Sequence, residues 1–415
     1  MKILQVNCVY KKGSTGKITY DIAHELKKRG LEVVVCYGRG KKRDYKGFPE
    51  IYKTCPEWYS KVNHMLSRIS GYMYGGCWFS TSKLIHIISR EKPDIVHLQC
   101  LNGYFVNIYR LLRYLNFAQI PTVMTLHAEF MFTGGCGHAF ECNKWKENPG
   151  CVRCPRYKQE TESLFFDKTY KMWRKMEKEI QNFDSEKLVT VAVSPWLQKR
   201  AEESSILQGK QVSVVLNGID TDIFKPYSRN ERQRKMVFHV SPEFTDDPTH
   251  LKGGYYVLKL AEQMKNIDFV VAGNYSISKK VSDNVKLLGN ISDQVELAKY
   301  YSEADVTLLT SRRETFSMVC AESLSCGTPV VGFKAGAPEK IAIPEYSKFV
   351  EFGNLKELKH AVEIMLNNKE VEEIREKAIA KYDRKNMINQ YMEIYNSFFE
   401  NDNANRKREK KWKKN

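Results

Sequence analysis

Short apolar runs alternate with helical patterns along almost the whole chain, and no other feature limits the possible folds as strongly. The first series is "MKILQVNCVY", "LEVVVCYG", "PDIVHLQC" (93–100), "TVMTLHA" (122–128), "LVTVAVS" (188–194) and "VSVVLNG" (212–218). Runs that are apolar throughout suit strands buried inside a parallel sheet. Between them, "ITYDIAHELKKRG" and "FVNIYRLLRYLN" carry apolar residues at helical spacing, and Gly30 reads as a helix stop. A second series follows: "KMVFHVS", "DFVVAG", "NVKLLG", "DVTLLTS" and "TPVVGF". Two such series predict an α/β protein with two doubly wound, Rossmann-like domains. The turn-rich "NGIDTDIFKP" separates them. The expected plan is an N-terminal domain over 1–216, with a cysteine-rich insert at 133–156, and a C-terminal domain over 217–380. A helix over 381–400 is expected to pack back on the first domain, ahead of a basic disordered tail over 401–415. Ligands of such sheets bind at the carboxyl ends of the strands, so the site is expected in a cleft where the two domains face each other.

The segment "KKGSTGK" after the first run invites comparison with a nucleotide-triphosphate loop. That loop needs Gly, four residues, then Gly-Lys and a hydroxyl residue. Lys11 stands where the first glycine belongs and Ile18 where the hydroxyl belongs, so the match fails. A G-x-G-x-x-G pattern fails too, with only Gly13 and Gly16 present. A strand, a glycine-bearing loop and a helix N-terminus still make a candidate anion site, with a tight turn without ligand as the plain alternative. Lys17 begins the helix and reads as solvated.

The formal net charge is +17, which implies anionic partners such as nucleic acid, acidic headgroups or phosphate-bearing substrates. No recognised RNA- or DNA-binding motif accompanies the charge, so nucleic acid is not the expected partner. No apolar run is long enough to cross a bilayer, and the N-terminus reads as a strand without a cleavage pattern. The expected location is cytoplasmic, with cysteines reduced.

The most specific stretch is "SRRETFSMVCAESLSCGTPVVGFKAGAPEKI" (311–341). It reads as a loop after a buried strand, a helix stopped by Gly327, and the next strand. The backbone amides of Phe316, Ser317 and Met318 open that helix and can hold phosphate oxygens, aided by the helix dipole. Glu322 lies further along, where a carboxylate can accept hydrogen bonds from both hydroxyls of a ribose. Glu314, in the loop, would face a sugar beyond the phosphates. The plain alternative is a pair of solvated carboxylates.

This stretch resembles the signature of the family 4 retaining glycosyltransferases of the GT-B fold, and the likeness runs over nearly the whole chain. "VVLNGIDTDIFKP" resembles their interdomain segment, and the Gly13–Gly16 loop and "KPDIVHLQCLNGYFVN" resemble their N-terminal domain. The "TGGC…C…W…C..CP" segment is similar to that of capsule and exopolysaccharide enzymes of the colanic-acid type. The resemblance implies a hexosyl transfer from a UDP- or GDP-sugar to a hydroxyl, with retention and without a required cofactor. It implies that Glu322 holds the ribose, Glu314 the donor sugar, and Lys252 in "HLKGG" the departing diphosphate. Gly13 and Gly16 would pack against the donor diphosphate or the acceptor from the first domain. His127 in "TLHAE" matches a family histidine near the reacting sugar; its plain alternative is a strand-end histidine bonded to backbone. The arginine usual before the lysine is absent from "SPEFTDDPTH", leaving Arg312 or Arg313 to compensate, and Glu129 stands one position beyond the family's acid. Asp220-Thr221-Asp222 matches the metal-binding D-x-D of other transferases but sits in an interdomain turn, and reads as structural.

Cys136, Cys142, Cys151 and Cys154 fall within nineteen residues. They could form a structural Zn²⁺ knuckle, with His127 and His138 as alternative ligands, or stay as thiols or disulfides. "CPEWYSKVNHMLSRISGYMYGGCWFSTSK" and "TYKMWRKMEKEIQNF" combine aromatic and basic residues. They suit either an anionic membrane face, as a polyprenyl-diphosphate-linked acceptor would demand, or ordinary solvated helices. Rival functions are a sugar-nucleotide epimerase of the same fold and a basic nucleic-acid-binding protein with a zinc knuckle.

Overall fold

The structure, a computed structural model, describes the backbone of residues 1–40 and 50–412 and side chains up to residue 400. The chain divides into two units, Met1–Val215 together with the chain from Ile388 onward, and Leu216–Met387.

Among the described residues, the first unit holds a seven-stranded parallel sheet. Its strands are β1 (Lys2–Asn7), β2 (Glu32–Tyr37), β3 (Glu50–Lys53), β4 (Ile95–Leu98), β5 (Thr122–Leu126), β6 (Leu188–Ala192) and β7 (Val212–Val214), in the order β3-β2-β1-β4-β5-β6-β7. β1 is flanked on both sides, Val6 pairing with Cys36 and with Leu98. Ile3, Leu4 and Val6 are accordingly buried, as a strand covered by helices on both faces requires. The second unit repeats the plan with β8 (Met236–Thr245), β9 (Asp268–Ser276), β10 (Val285–Gly289), β11 (Val306–Leu309), β12 (Val330–Phe333) and β13 (Ser347–Val350), in the order β10-β9-β8-β11-β12-β13. Its core packs Val237, Phe269, Leu308 and Val331 of the sheet against Val257, Leu260 and Val362 of the helices. In each sheet the strand order reverses once, between β1 and β4 and between β8 and β11, and such switch points are where α/β sheets take ligands.

Every run read as a strand from the sequence is one here. Nothing in the sequence marks β3 and β13. Both are edge strands of four half-exposed residues, "EIYK" and "SKFV", and neither carries an apolar run. The first helix spans Gly13–Lys28, so Gly13 and Gly16 lie inside it rather than in a loop before it. Lys17 is half-buried, not solvated. The last helix spans Arg384–Trp412 as backbone, where a disordered tail was expected from 401; residues 413–415 lie outside the described ones.

Tyr391 and Tyr395 of that helix complete a buried polar chain in the first unit. His97 on β4 is bonded through Nδ1 to Tyr395 Oη (2.7 Å) and through Nε2 to Thr125 Oγ1 (2.8 Å). Thr125 is shared with Tyr391 Oη (3.0 Å), and the Gln99 amide reaches His97 Nε2 (3.1 Å). Burial, with nearby His127 adding to it, pushes the His97 ring down to about 3. In the second unit burial pushes His239 down to about 4; its Nδ1 donates to the Leu308 carbonyl (2.9 Å). Between their ordinary value near 6.5 and these folded values, the unfolded chain binds protons that the folded chain does not. Stability therefore falls as pH drops through that window, by at most about 1.4 kcal/mol per pH unit for each ring. Urea midpoints measured from about pH 7 to about pH 4 should decline less steeply in His97→Gln than in the wild type; parallel declines would count against a neutral buried His97.

Candidate functional site

Of the residues expected to bind a donor, Lys252, Glu314, Phe316, Ser317, Met318 and Glu322 lie in the second unit, whose sheet has its switch point between β8 and β11. Lys252 follows β8 and Glu314 follows β11, and backbone contacts hold the two segments side by side. Arg312 N donates to Leu251 O (2.9 Å), and Thr310 Oγ1 donates to Lys252 O (3.1 Å). Gly253 lies at φ +67°, and a Cβ there would fall 2.1 Å from Thr310 O, so only glycine permits this approach. Glu314 is fixed from the far side, its N–H donating to Ala335 O (2.9 Å) and its carbonyl accepting from Ala337 N (3.2 Å). The result is an ion pair, Lys252 Nζ to Glu314 Oε1, of 2.6 Å.

Phe316, Ser317 and Met318 lead into the helix Met318–Ser325. Ser317 caps it, Oγ accepting from Cys320 N (3.3 Å), and does so at φ +91°. A non-glycine residue there stores strain of about 1–3 kcal/mol, of the kind that accompanies a preformed binding turn. Gly327, at φ +71°, closes the helix as expected. Glu322 is buried, and its Oε2 accepts from Tyr301 Oη (3.1 Å). Burial, then the Glu322 charge, hold the Tyr301 phenol well above its ordinary value, so it remains a donor. Arg312 is exposed with its guanidinium 5.9 Å from the Phe352 ring centre, and Arg313 is half-buried. Glu339 escaped the sequence reading. Its carboxylate accepts from the N–H groups of Ala335 and Gly336 (both 3.0 Å) and so shapes the loop that fixes Glu314.

Gly13, Gly16 and His127 belong to the first unit. Gly16 packs against Val9, with Lys11 N donating to Gly16 O (2.9 Å), so it tightens the turn into its helix. Exposed Gly13 opens that helix at φ +65°. His127, at the end of β5, is half-buried, and its Nε2 lies 2.7 Å from Gln99 Oε1. A carbonyl oxygen only accepts, so the proton sits on Nε2. Burial pushes this ring down to about 4, so it is neutral near pH 7. A backbone partner for His127 was one expectation; the partner here is a side chain. His97 and Gln99 were missed, although polar residues in "PDIVHLQC", a run otherwise apolar, were the available signal.

The D-x-D segment is committed to structure. Asp220 pairs with Arg384 (2.7 Å), and Thr221 bonds to Asp383. Glu129 is fully buried, its Oε2 accepting from Arg200 (2.8 Å) and from Ala139 N (2.9 Å). Arg200 lies over the rings of Trp145 (4.9 Å) and Trp196 (5.1 Å). Glu129 thus anchors the cysteine-rich insert. Cys136, Cys142, Cys151 and Cys154 lie in this insert; among the described residues no group of three or more His, Cys, Asp or Glu is arranged to hold a metal ion, and no cysteine is in a disulfide. Burial raises Cys151 to about 12 and raises Cys136 and Cys154 as well.

Breaking a buried pair on one side leaves an uncompensated charge and costs about 3–5 kcal/mol. Arg200→Ala should therefore lower the melting temperature strongly, and Glu129→Ala with Arg200→Ala should recover part of the loss. A near-neutral Arg200→Ala would refute the anchoring role.

Known proteins bear on this geometry. The model described as Glycosyltransferase Family 4 matches residues 15–223, and that described as Glycosyl transferases group 1 matches residues 249–385. The chain is 21% identical over 418 residues to WcaC of Escherichia coli (strain K12), whose name assigns it to colanic acid biosynthesis as a glycosyl transferase; the match covers 95% of this chain and 99% of that protein. Among solved structures, sucrose-phosphate synthase from Thermosynechococcus elongatus superposes with a TM-score of 0.65 at 15% identity, covering 96% of this chain and 99% of that one. Anabaena Alr3699/HepE in complex with UDP-glucose gives a TM-score of 0.62 at 16% identity, covering 96% and 100%. Two parallel α/β units with these neighbours make the GT-B fold, and the chain belongs to Glycosyltransferase Family 4.

Proposed function

We propose that this glycosyltransferase moves a hexosyl group from a UDP- or GDP-sugar to a hydroxyl of a polyprenyl-diphosphate-linked glycan, with retention, during assembly of a cell-surface polysaccharide. The observation that carries the reading is the Lys252–Glu314 pair beside the strained, capped N-terminus of the helix Met318–Ser325. A cation, free helix amides and a carboxylate at one switch point suit a diphosphate with a sugar beyond it. The names of WcaC and of the UDP-glucose complex of Alr3699/HepE point the same way.

In this reading the glycosyl–phosphate bond breaks through an oxocarbenium-like state. Lys252 and the amides at 316–318 stabilise the charge that develops on the leaving diphosphate. Glu314 orients the donor sugar, and Glu322, held by Tyr301, receives the ribose hydroxyls. Neutral His127, oriented by Gln99, serves as a hydrogen-bonding group rather than a cation. The acceptor is recognised by the first unit, where Gly13 opens its helix. This chemistry uses no cofactor. A lipid-linked acceptor would bring the protein to the inner face of a membrane, where its +17 charge favours anionic lipids.

A thermal-shift screen of UDP-, GDP- and ADP-sugars tests this. One nucleotide series should raise the melting temperature. Glu322→Ala should weaken that binding by about ten-fold or more, since a hydrogen bond to a charged acceptor contributes about 1.5–3 kcal/mol. If no nucleotide sugar raises the melting temperature, the donor assignment is wrong.

A further inference from the structure

The helix Glu57–Ser70 in the first unit is packed the wrong way round for a soluble protein. Its buried residues are polar: Ser60, Asn63 and Ser67. Asn63 Oδ1 accepts from Cys77 N (2.7 Å), and Ser60 Oγ donates to Gly103 O (3.1 Å), so hydrogen bonds seat this face. Trp58, Val62, Met65, Leu66 and Ile69 are exposed, Trp58 by 67% and Met65 by 56%. At 3.6 residues per turn these five share an arc of roughly 100°, the width of an ordinary core-facing stripe. Here the stripe faces outward.

The face continues beyond the helix. The Tyr59 ring lies 5.9 Å from that of Phe79, which is 80% exposed. Leu164 N donates to Arg68 O (2.8 Å), which joins the helix end to the exposed pair Phe165 and Phe166. Cations border the apolar side chains. Lys61 and Arg68 are exposed along the helix, Lys168 lies 5.6 Å from the Phe166 ring centre, and Arg110 lies 5.4 Å from the Trp78 ring; Glu162 stands at the same edge, 3.9 Å from Arg68 and 3.0 Å from His64, and offsets part of this charge. The helix Thr169–Gln181, basic and aromatic in sequence as well, is a useful contrast. It buries Met172, Trp173, Met176 and Ile180 in the usual way and leaves no such face.

We propose that the outward face of the helix Glu57–Ser70, with Phe79 and the Phe165–Phe166 turn, docks on an anionic lipid bilayer. Tryptophan and phenylalanine with aliphatic neighbours enter the headgroup–acyl boundary, and bordering lysine and arginine meet lipid phosphates. The charge selects this occupant. A protein partner or a second copy of the chain would have to match or tolerate a cationic rim, and a second copy would bring like charge against like charge. This docking deepens the membrane placement of the proposed function and rests on it, but not on its donor chemistry; vesicle binding is measured without a nucleotide sugar, so either reading can fail alone.

Co-sedimentation of the full chain with vesicles decides it. Phosphatidylcholine vesicles containing phosphatidylglycerol should carry the protein down, and pure phosphatidylcholine should carry down about ten-fold less or lower. Met65→Glu with Leu66→Glu should cut binding to the anionic vesicles by about ten-fold or more, with the melting temperature retained. Lys61→Glu with Arg68→Glu should reduce the same binding and its salt sensitivity. Vesicle-induced blue shift of tryptophan emission should shrink in Trp58→Phe, a mild change that keeps the fold. Equal binding of wild type and Met65→Glu/Leu66→Glu overturns the proposal, as does an undiminished emission shift in Trp58→Phe. A wild-type oligomer that those glutamates dissolve, with no vesicle binding, also overturns it in favour of a second copy.

Discussion

Bringing Lys252 within 2.6 Å of Glu314 is the constraint on which the site of the second unit depends. The two residues lie far apart in sequence and are joined because β8 and β11 are neighbours where the strand order reverses. Sheet topology brings the loops close, and Gly253 with the Thr310 and Arg312 contacts closes the remaining gap. Glu339 then sets the loop that holds Glu314 from the other side. The Glu314 carboxylate holds the Lys252 ammonium in place. The strained turn at Ser317 and the buried Glu322 need only the same strand-loop-helix unit, so the candidate donor groups share one scaffold.

The first unit organises its candidate residue differently. His127 is oriented by a side-chain relay through Gln99 and His97 to the final helix of the chain. Each member spends its hydrogen bonds on the next, as a buried polar network must if it is to stabilise rather than cost. The same burial keeps both rings neutral near pH 7. The last helix is thus more than a cover for the sheet, because Tyr391 and Tyr395 supply hydroxyls that strands β4 and β5 lack.

What the sequence revealed follows from how physical signals scale with burial. Strands with an apolar run were legible, the edges β7 and β10 included; β3 and β13, edges without such a run, were not. Glu314 and Glu322 were legible because the elements around them are short and punctuated by Gly327. Lys252 was singled out as well, but its pairing with Glu314 and the Tyr301 bond to Glu322 were not, since topology brings these partners together. Glu129 could not be assigned from its position next to Ala128; a buried arginine from a distant helix explains it. The four clustered cysteines carried a spacing signal, but nothing in the spacing pointed to buried Trp145 or to the Glu129–Arg200 pair that anchors the insert. In the helix Glu57–Ser70 an apolar stripe was present in sequence, but periodicity tells only that a face exists. Which way the face points is decided by Asn63 and Ser60 finding partners inside.

In the proposed donor site Lys252 meets the second phosphate of a nucleoside diphosphate. Calorimetric titration with a nucleoside diphosphate and with the matching monophosphate measures this directly. The wild type should prefer the diphosphate by about ten-fold or more, the scale of one charge-assisted contact, and Lys252→Ala should lose most of that preference while still binding the monophosphate. A preference of equal size in Lys252→Ala would show that Lys252 does not meet the second phosphate.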